Sequence, residues 1–391
     1  MRVAFYAPMK APDDPTPSGD RTVGRNLVAA LRRAGHEVAL ASRLRSYDRG
    51  DPTRQERLRA LGEREARRAL NRVRKSGKAP DLWFTYHLYH KAPDWLGPAV
   101  TQALGIPYVV AEASVANKQR GGPWDLGYRA SLEALGHADL AVTLNPADEA
   151  GVKPHLRAGV PMLALPPFMD TTPFASAPPA RETGRARLAA DFGLSLGRPW
   201  LVTVGMMRAD QKLASYRVLA EALAALDGEA FELLVVGTGP AEAEVRAAFE
   251  AGGVSATLLG EVGPHDLPGI LASSDLYVWP AVKEAWSMAL IEAQAAGLPV
   301  VAGRSGGVAT VVADGETALL VPEGDALAFA RAVAALLDPQ RRARFSMAAA
   351  WRAVACHDIS VAASRLDGAL RETIDRFYRR ANGVPSKTEC H

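Results

Sequence analysis

A chain of 391 residues exceeds what one hydrophobic core usually absorbs, so two domains are expected. Hydrophobic residues at 48% and charged residues at 23% are ordinary for a globular protein, and a net charge of +3 is too small to argue for nucleic acid, which needs a concentrated basic stripe. Cys356 and Cys390, the only cysteines, lie in no metal-ligand spacing and exclude a disulfide framework or a zinc site. The first apolar run, Val3 to Ala7, is too short for a signal-peptide core, and no run approaches the roughly 18 apolar residues of a membrane span. A soluble, cytoplasmic protein is the expectation.

Residues 2–7 read as the first strand, 8–18 as a loop rich in Pro and Asp, Gly19 to near Gly35 as a helix, and 36–41 as the second strand. Apolar runs at 81–85, 108–111, 139–143 and 161–165 continue the alternation, so 1–165 reads as a doubly wound parallel α/β domain. Within it, Leu58, Leu61, Ala66, Ala69, Leu70 and Val73 recur at helical spacing while Arg and Lys outnumber Glu over 43–78. That segment is an amphipathic helix with a basic outer face, partly neutralised by pairs such as Glu63 with Arg67. A solvated face is the bland reading of it, and peripheral contact with an anionic membrane the sharper one.

Prolines gather at 166, 167, 173, 178 and 179, so 166–199 reads as a linker holding one helix near 185–192. Strand candidates at 201–204, 231–236, 256–259, 276–279, 300–302 and 318–321 form a second α/β domain over 200–355. Helical patterns follow at 326–337, after Pro339 and at 359–378. Residues 356–380 are taken as a C-terminal helix, and 381–391, without apolar periodicity, as a disordered tail.

Chemistry concentrates where strands end. Glu292 falls inside a helix beginning near Ser287, and its neighbours three and four residues away are Met288, Ala289, Ala295 and Ala296. A carboxylate on such an apolar stripe needs a hydrogen-bonding ligand or a basic partner. Gly205 to Lys212, GMMRADQK, follows the first strand of the second domain, so Arg208 and Lys212 project basic groups where a pyrophosphate binds in such folds. Their bland reading is solvated loop charge. Gly19 opens a helix where backbone N–H groups can approach a phosphate, although most loop glycines only serve turns. Gly237-Thr238-Gly239-Pro240 and Ser305-Gly306-Gly307 are turns after strands, equally readable as structure. His87 and Glu112 sit at strand ends of the first domain.

Glu284, seven residues, then Glu292, followed by Gly297-Leu298-Pro299-Val300-Val301-Ala302 and Ser305-Gly306-Gly307-Val308, resembles the donor-site motif of the family 4 glycosyltransferases. The resemblance implies the GT-B fold, α/β with two Rossmann-like domains facing each other across a cleft, and a retaining, hexosyl-type transfer from a nucleotide-diphosphate sugar. It implies that Arg208 and Lys212 hold the diphosphate, Glu284 the donor-sugar hydroxyls and Glu292 the ribose hydroxyls. Gly19, Gly205, Gly237, Gly306, Ala285, Trp286, Ser287 and Met288 would line the donor site. The last helix would return to the N-terminal domain.

A histidine that many members carry after the fourth strand is missing from Val109-Val110-Ala111-Glu112-Ala113-Ser114, leaving Glu112, or His87 or His90 from the preceding strand end, to touch the sugar. Met206-Met207 and Leu213 also depart from the family's loop, and Thr310 stands near where a glutamate is common. No Asp-x-Asp pair marks a strand end, so a metal-independent reaction without a cofactor is expected. The acceptor, a sugar, a lipid-linked molecule or another small molecule, is left open. The alternatives are a nucleotide-sugar epimerase of the same fold and a non-catalytic sugar-nucleotide binding subunit.

Overall fold

The computed structural model describes residues 1–382 apart from Pro17, Asp227, Glu229 and Ala285. The expected tail from residue 383 onward and the donor-site call on Ala285 lie outside the described residues. The chain forms two compact units, Met1–Pro167 joined by the helix Ile359–Ala381, and Phe168–Asp358.

In the first unit, β1 (Arg2–Tyr6), β2 (Glu37–Leu40), β3 (Leu82–Leu88), β4 (Tyr108–Ala113), β5 (Leu140–Thr143) and β6 (Met162–Ala164) make one parallel sheet in the order β2-β1-β3-β4-β5-β6. The central strands β3, β4 and β5 are almost wholly buried, which explains their near-continuous apolar sequences: a parallel sheet is covered on both faces. The helix Gly19–Arg33 is capped by Ser18, whose hydroxyl accepts from Arg21 N, and it buries Val23, Leu27, Val28 and Leu31. Beside it lies Ile359–Ala381, tied to this unit by His36 Nε2 at 3.3 Å from Asp367 and by Arg380 at 3.0 Å from Asp139.

The basic segment forms the helix Pro52–Ser76, started by the Asp51 cap and closed by Gly77 at φ 64°. Leu58, Ala66 and Ala69 are buried, but Leu61 is 42% exposed, against its expected place on the inner stripe. Gly62 takes that place: a Cβ there would stand 2.2 Å from Trp95 Cβ, so the missing side chain lets the helix approach. The expected Glu63–Arg67 pair does not form, whereas Arg59 pairs with Glu56 at 2.8 Å and Arg68 with Glu65 at 2.5 Å.

In the second unit, β7 (Trp200–Val204), β8 (Glu232–Val236), β9 (Ala256–Gly260), β10 (Leu276–Trp279), β11 (Val300–Gly303) and β12 (Ala318–Val321) make a parallel sheet in the order β12-β11-β10-β7-β8-β9. The stretch read as a linker is part of this unit. Met169, Phe174, Leu188 and Leu194 join its core, and the helix is longer than expected, Arg181–Phe192. Arg181 and Arg185 grip Asp275 at 2.6 and 2.8 Å, just before β10. The prolines there mark helix starts, because Pro173 and Pro178 sit in first turns where a missing N–H costs nothing. The C-terminal boundary also moves: Pro339–His357 is one helix of the second unit, and the returning helix begins at Ile359.

Each sheet has one topological switch point, between β1 and β3 and between β7 and β10. In open parallel sheets the crevice outside the carboxyl ends of such strands is where ligands bind.

Candidate functional site

At the second unit's switch point, the loop after β7 runs against the turn after β8. Gly205 N donates to Val236 O at 3.0 Å and Met207 N to Thr238 O at 2.9 Å. A Cβ on Gly237 would stand 2.0 Å from Gly205 O, and one on Gly239 2.3 Å from Met207 O, at φ values of 134° and 156°. Both glycines are therefore required by backbone approach and by left-handed geometry. Met207, one of the two extra residues, anchors the loop in the core, while Met206 is exposed. Tyr216 fixes the loop from below by donating to Gly205 O at 2.8 Å.

Asp210 caps the helix Gln211–Ala224 by accepting from Lys212 N at 2.9 Å, and its other oxygen lies 3.1 Å from Arg208 Nε. Lys212, in the first turn, reaches across to β10: its Nζ stands 2.6 Å from Glu284 Oε2 and 5.1 Å from the centre of the Trp279 ring. Trp279 Nε1 donates to the same oxygen at 3.2 Å. Glu284 is held by its backbone too, with N donating to Ser305 Oγ at 3.0 Å, so the loops after β10 and β11 are joined. Ala281 and Lys283 bracket this bend in the left-handed region, at φ 53° and 49°, a strain of about 1 kcal/mol or more each. Gly306 turns back after β11 at φ 46°.

Glu292 lies on the helix Met288–Ala295, half-buried, and among the described residues its carboxylate has no hydrogen bond or ion pair. Burial pushes its carboxyl up to about 7. Burial also raises Tyr277 far above its ordinary value, with the charges of Glu292 and Glu284 adding to it. The structure thus brings Gly205, Arg208, Lys212, Gly237, Glu284, Glu292 and Gly306 to one edge of this sheet. Trp286 and Met288 pack partly buried against the core, and Ser287 holds the N-cap position without a side-chain cap bond.

The first unit's switch point carries charge of the other sign. Gly19 is the first residue of its helix, and a Cβ there would meet nothing within 4 Å, so the fold itself does not demand glycine. Next to it, Asp20 Oδ1 stands 2.9 Å from His87 Nδ1 in an ion pair whose N–H alignment falls short of a hydrogen bond. His87 and Glu112 oppose each other on β3 and β4, between the register pairs Tyr86–Ala111 and Leu88–Ala113, and both are left-handed, at φ 64° and 52°. The paired kinks preserve the ladder and turn two polar side chains to one place.

Burial lowers the His87 imidazole, but the Asp20 contact and the charges of Glu112, Asp20 and Asp148 outweigh it and leave it raised. The same contact lowers Asp20. Burial raises Glu112, against the pull of His87 and the Tyr86 hydroxyl, and burial likewise raises Asp148. Sequence reasoning named His87 and Glu112 and missed Asp20 and Asp148. Asp20 directly follows Gly19, and Asp148 follows β5 in Asn145-Pro146-Ala147-Asp148, so position at a strand's carboxyl end was the signal available.

Residues 198–339 match the family described as Glycosyl transferases group 1. D-inositol 3-phosphate glycosyltransferase of Nocardia farcinica is 34% identical over 192 residues, 46% of this chain and 40% of that protein. Alpha-D-kanosaminyltransferase of Streptomyces kanamyceticus is 30% identical over 194 residues, 49% of this chain and 50% of that one. The chain thus matches about half the length of these relatives. Anabaena HepE, solved in complex with UDP, superposes with a TM-score of 0.71 over 95% of this chain and 100% of its own, at 16% identity. The fold is therefore that of the GT-B glycosyltransferases: two Rossmann-like parallel α/β units, the second of which carries the group 1 match.

Proposed function

We propose that this protein is a retaining glycosyltransferase of family 4 that moves a sugar from a nucleotide-diphosphate sugar to an acceptor hydroxyl. The observation that carries the reading is the Lys212–Glu284 pair at the second unit's switch point, backed by a helix N-terminus and flanked by an unpartnered Glu292. A nucleoside diphosphate would add its negative charge beside Lys212, Arg208 and the helix dipole, each cation having a single carboxylate partner, and its ribose hydroxyls would donate to Glu292. Glu284 keeps Lys212 in place and turns its remaining oxygen to hydroxyls of the donor sugar. The likeness to a protein solved with UDP supports a nucleoside diphosphate in this role.

In the reaction, the bond between the anomeric carbon and the diphosphate oxygen breaks, and the acceptor oxygen forms its bond on the face the diphosphate leaves. The acceptor's proton passes to a diphosphate oxygen. Arg208 and Lys212 stabilise the charge that develops on the departing diphosphate, a role fixed cations perform best where water is excluded. His87 stands 2.9 Å from Asp20 Oδ1, and although burial lowers its imidazole, that contact and the neighbouring carboxylates leave it raised. The first unit takes the acceptor, and its basic helix Pro52–Ser76 rests on anionic lipid at the cytoplasmic face of a membrane.

Release of nucleoside diphosphate from a panel of nucleotide sugars, with and without a pool of acceptors, tests this. Arg208→Ala and Lys212→Ala should each slow release about a hundredfold, the exposed Arg208 with an unchanged melting curve and Lys212 with a lower one, because Glu284 loses its partner. Wild-type rates in both variants would remove the assignment. Free epimerised sugar nucleotide formed without acceptor would favour an epimerase.

A further inference from the structure

We infer that the groove between β2 and the helix Pro52–Ser76 in the first unit binds the alkyl chain of an anionic lipid. The inference deepens the reading that this helix meets a membrane, and it names what that surface takes up.

The groove follows from small side chains. Successive residues of a strand face opposite ways, so the register of β1 with β2 turns Ala4, Ala39 and Ala41 to one face of the sheet and Phe5, Val38 and Leu40 to the other. The larger residues lie toward the helix Gly19–Arg33. Opposite the alanines stand Ala69 and Val73 of the helix Pro52–Ser76, and together they leave a mainly apolar cavity of about 190 Å³, open to solvent at the exposed Ala39. An apolar cavity of about 150 Å³ accommodates a benzene molecule, so this one has room for roughly six carbons of a chain or more.

Arg2, Arg72 and Lys78 line the same groove against one carboxylate, Glu37. Arg72 donates to Ala41 O at 2.6 Å, and among the described residues none of the three cations pairs with a carboxylate. Apolar walls beside a net positive charge fit an amphiphile, whose chain displaces water from the walls while its anionic head accepts charge-assisted hydrogen bonds. A neutral apolar ligand leaves the cations without a counter-charge. A second copy docked symmetrically brings the same three cations against them. Arg2 and Glu37 open their strands, so the groove reaches the amino ends of β1 and β2, away from the crevice at the carboxyl ends. The lipid it takes is therefore an anchor and not the acceptor.

Calorimetric titration of the full chain with monomeric butyl phosphate, octyl phosphate and octanol tests this. Each methylene taken out of water adds about fourfold in affinity, so octyl phosphate should bind at least about fiftyfold tighter than butyl phosphate and at least about tenfold tighter than octanol. Ala39→Trp, which fills the groove from an exposed strand position, should cut the first ratio to about threefold or less. Arg72→Gln combined with Lys78→Gln, both exposed, should cut the second ratio as far, and keeps the test valid should Ala39→Trp fail to fold. Equal binding of the two phosphates, no binding of octyl phosphate, octanol bound as tightly, or ratios that survive the substitutions overturns the inference. A concentration-dependent dimer that Ala39→Trp dissolves would give the groove to a second copy and overturn it too. Sedimentation with phosphatidylserine vesicles reads the membrane contact separately: loss of pelleting alone removes that contact, and loss of chain-length dependence alone sinks the inference.

Discussion

Glu292 is the residue whose physics is most exposed to experiment. Its carboxyl is raised from an ordinary 4.5 to about 7 by burial, with no partner to offset the cost of charging it. A raised acid binds its proton more tightly when folded, so it favours the folded state fully below about pH 4.5, and that contribution is lost as pH climbs through about 7. Glu292→Gln should therefore melt higher than wild type at pH 8, by on the order of 2 kcal/mol, and match it at pH 4.5. The same substitution should weaken nucleotide binding. Urea melts at the two pH values check the first statement, and a pH-independent difference would contradict it.

Residues of this kind differ in how far the sequence reveals them. Glu292 was legible because a lone carboxylate interrupts a run of Met and Ala, and Lys212 because a basic residue follows a strand of the second sheet. The direct Lys212–Glu284 contact was not legible, since it joins side chains 72 positions apart. Asp20 and Asp148 escaped because a carboxylate next to a helix start usually serves as a cap; only the converging strand ends give them another meaning.

Among the elements, periodicity gave the parallel strands, whose burial on both faces writes apolar runs into the chain. It misjudged the basic helix in detail: Leu61 faces water because Gly62 meets Trp95, a steric requirement that no hydrophobic pattern carries. The arginines of this helix remain a broad exposed surface, with Arg59 and Arg68 partly offset by neighbouring glutamates. Each basic residue near an anionic membrane adds about 1 kcal/mol of attraction, screened over roughly 10 Å at 0.1 M salt. Sedimentation with phosphatidylserine vesicles at low salt should pull down the wild-type chain, and Arg67, Arg68 and Arg72 changed together to Glu should abolish that binding. Binding that survives the triple change would return the helix to a solvated face.

At the level of the whole molecule, two α/β units follow from length and strand alternation, but their borders do not. Proline density made 166–199 look like a tether, yet Phe174 and Leu188 enter the second core and two arginines clasp Asp275. Two cationic side chains and the Trp200 N–H hold that carboxyl below its usual value even though burial, the largest influence, pushes it up. Proline content alone could not report such long-range pairing. Among the described residues no helix is long and apolar enough to cross a membrane, so membrane contact in this account rests on surface charge.

The central claim is that the second unit binds a nucleoside-diphosphate sugar through Lys212 and Glu292. Its most direct test is the melting temperature of the full chain across a panel of nucleotide sugars. A donor present at about a hundred times its dissociation constant should stabilise the protein by roughly 2.7 kcal/mol, and the shift should vanish when Lys212→Ala and Glu292→Gln are combined. A panel in which no nucleotide sugar moves the wild-type transition, or in which the double variant shifts as far as the wild type, would contradict it.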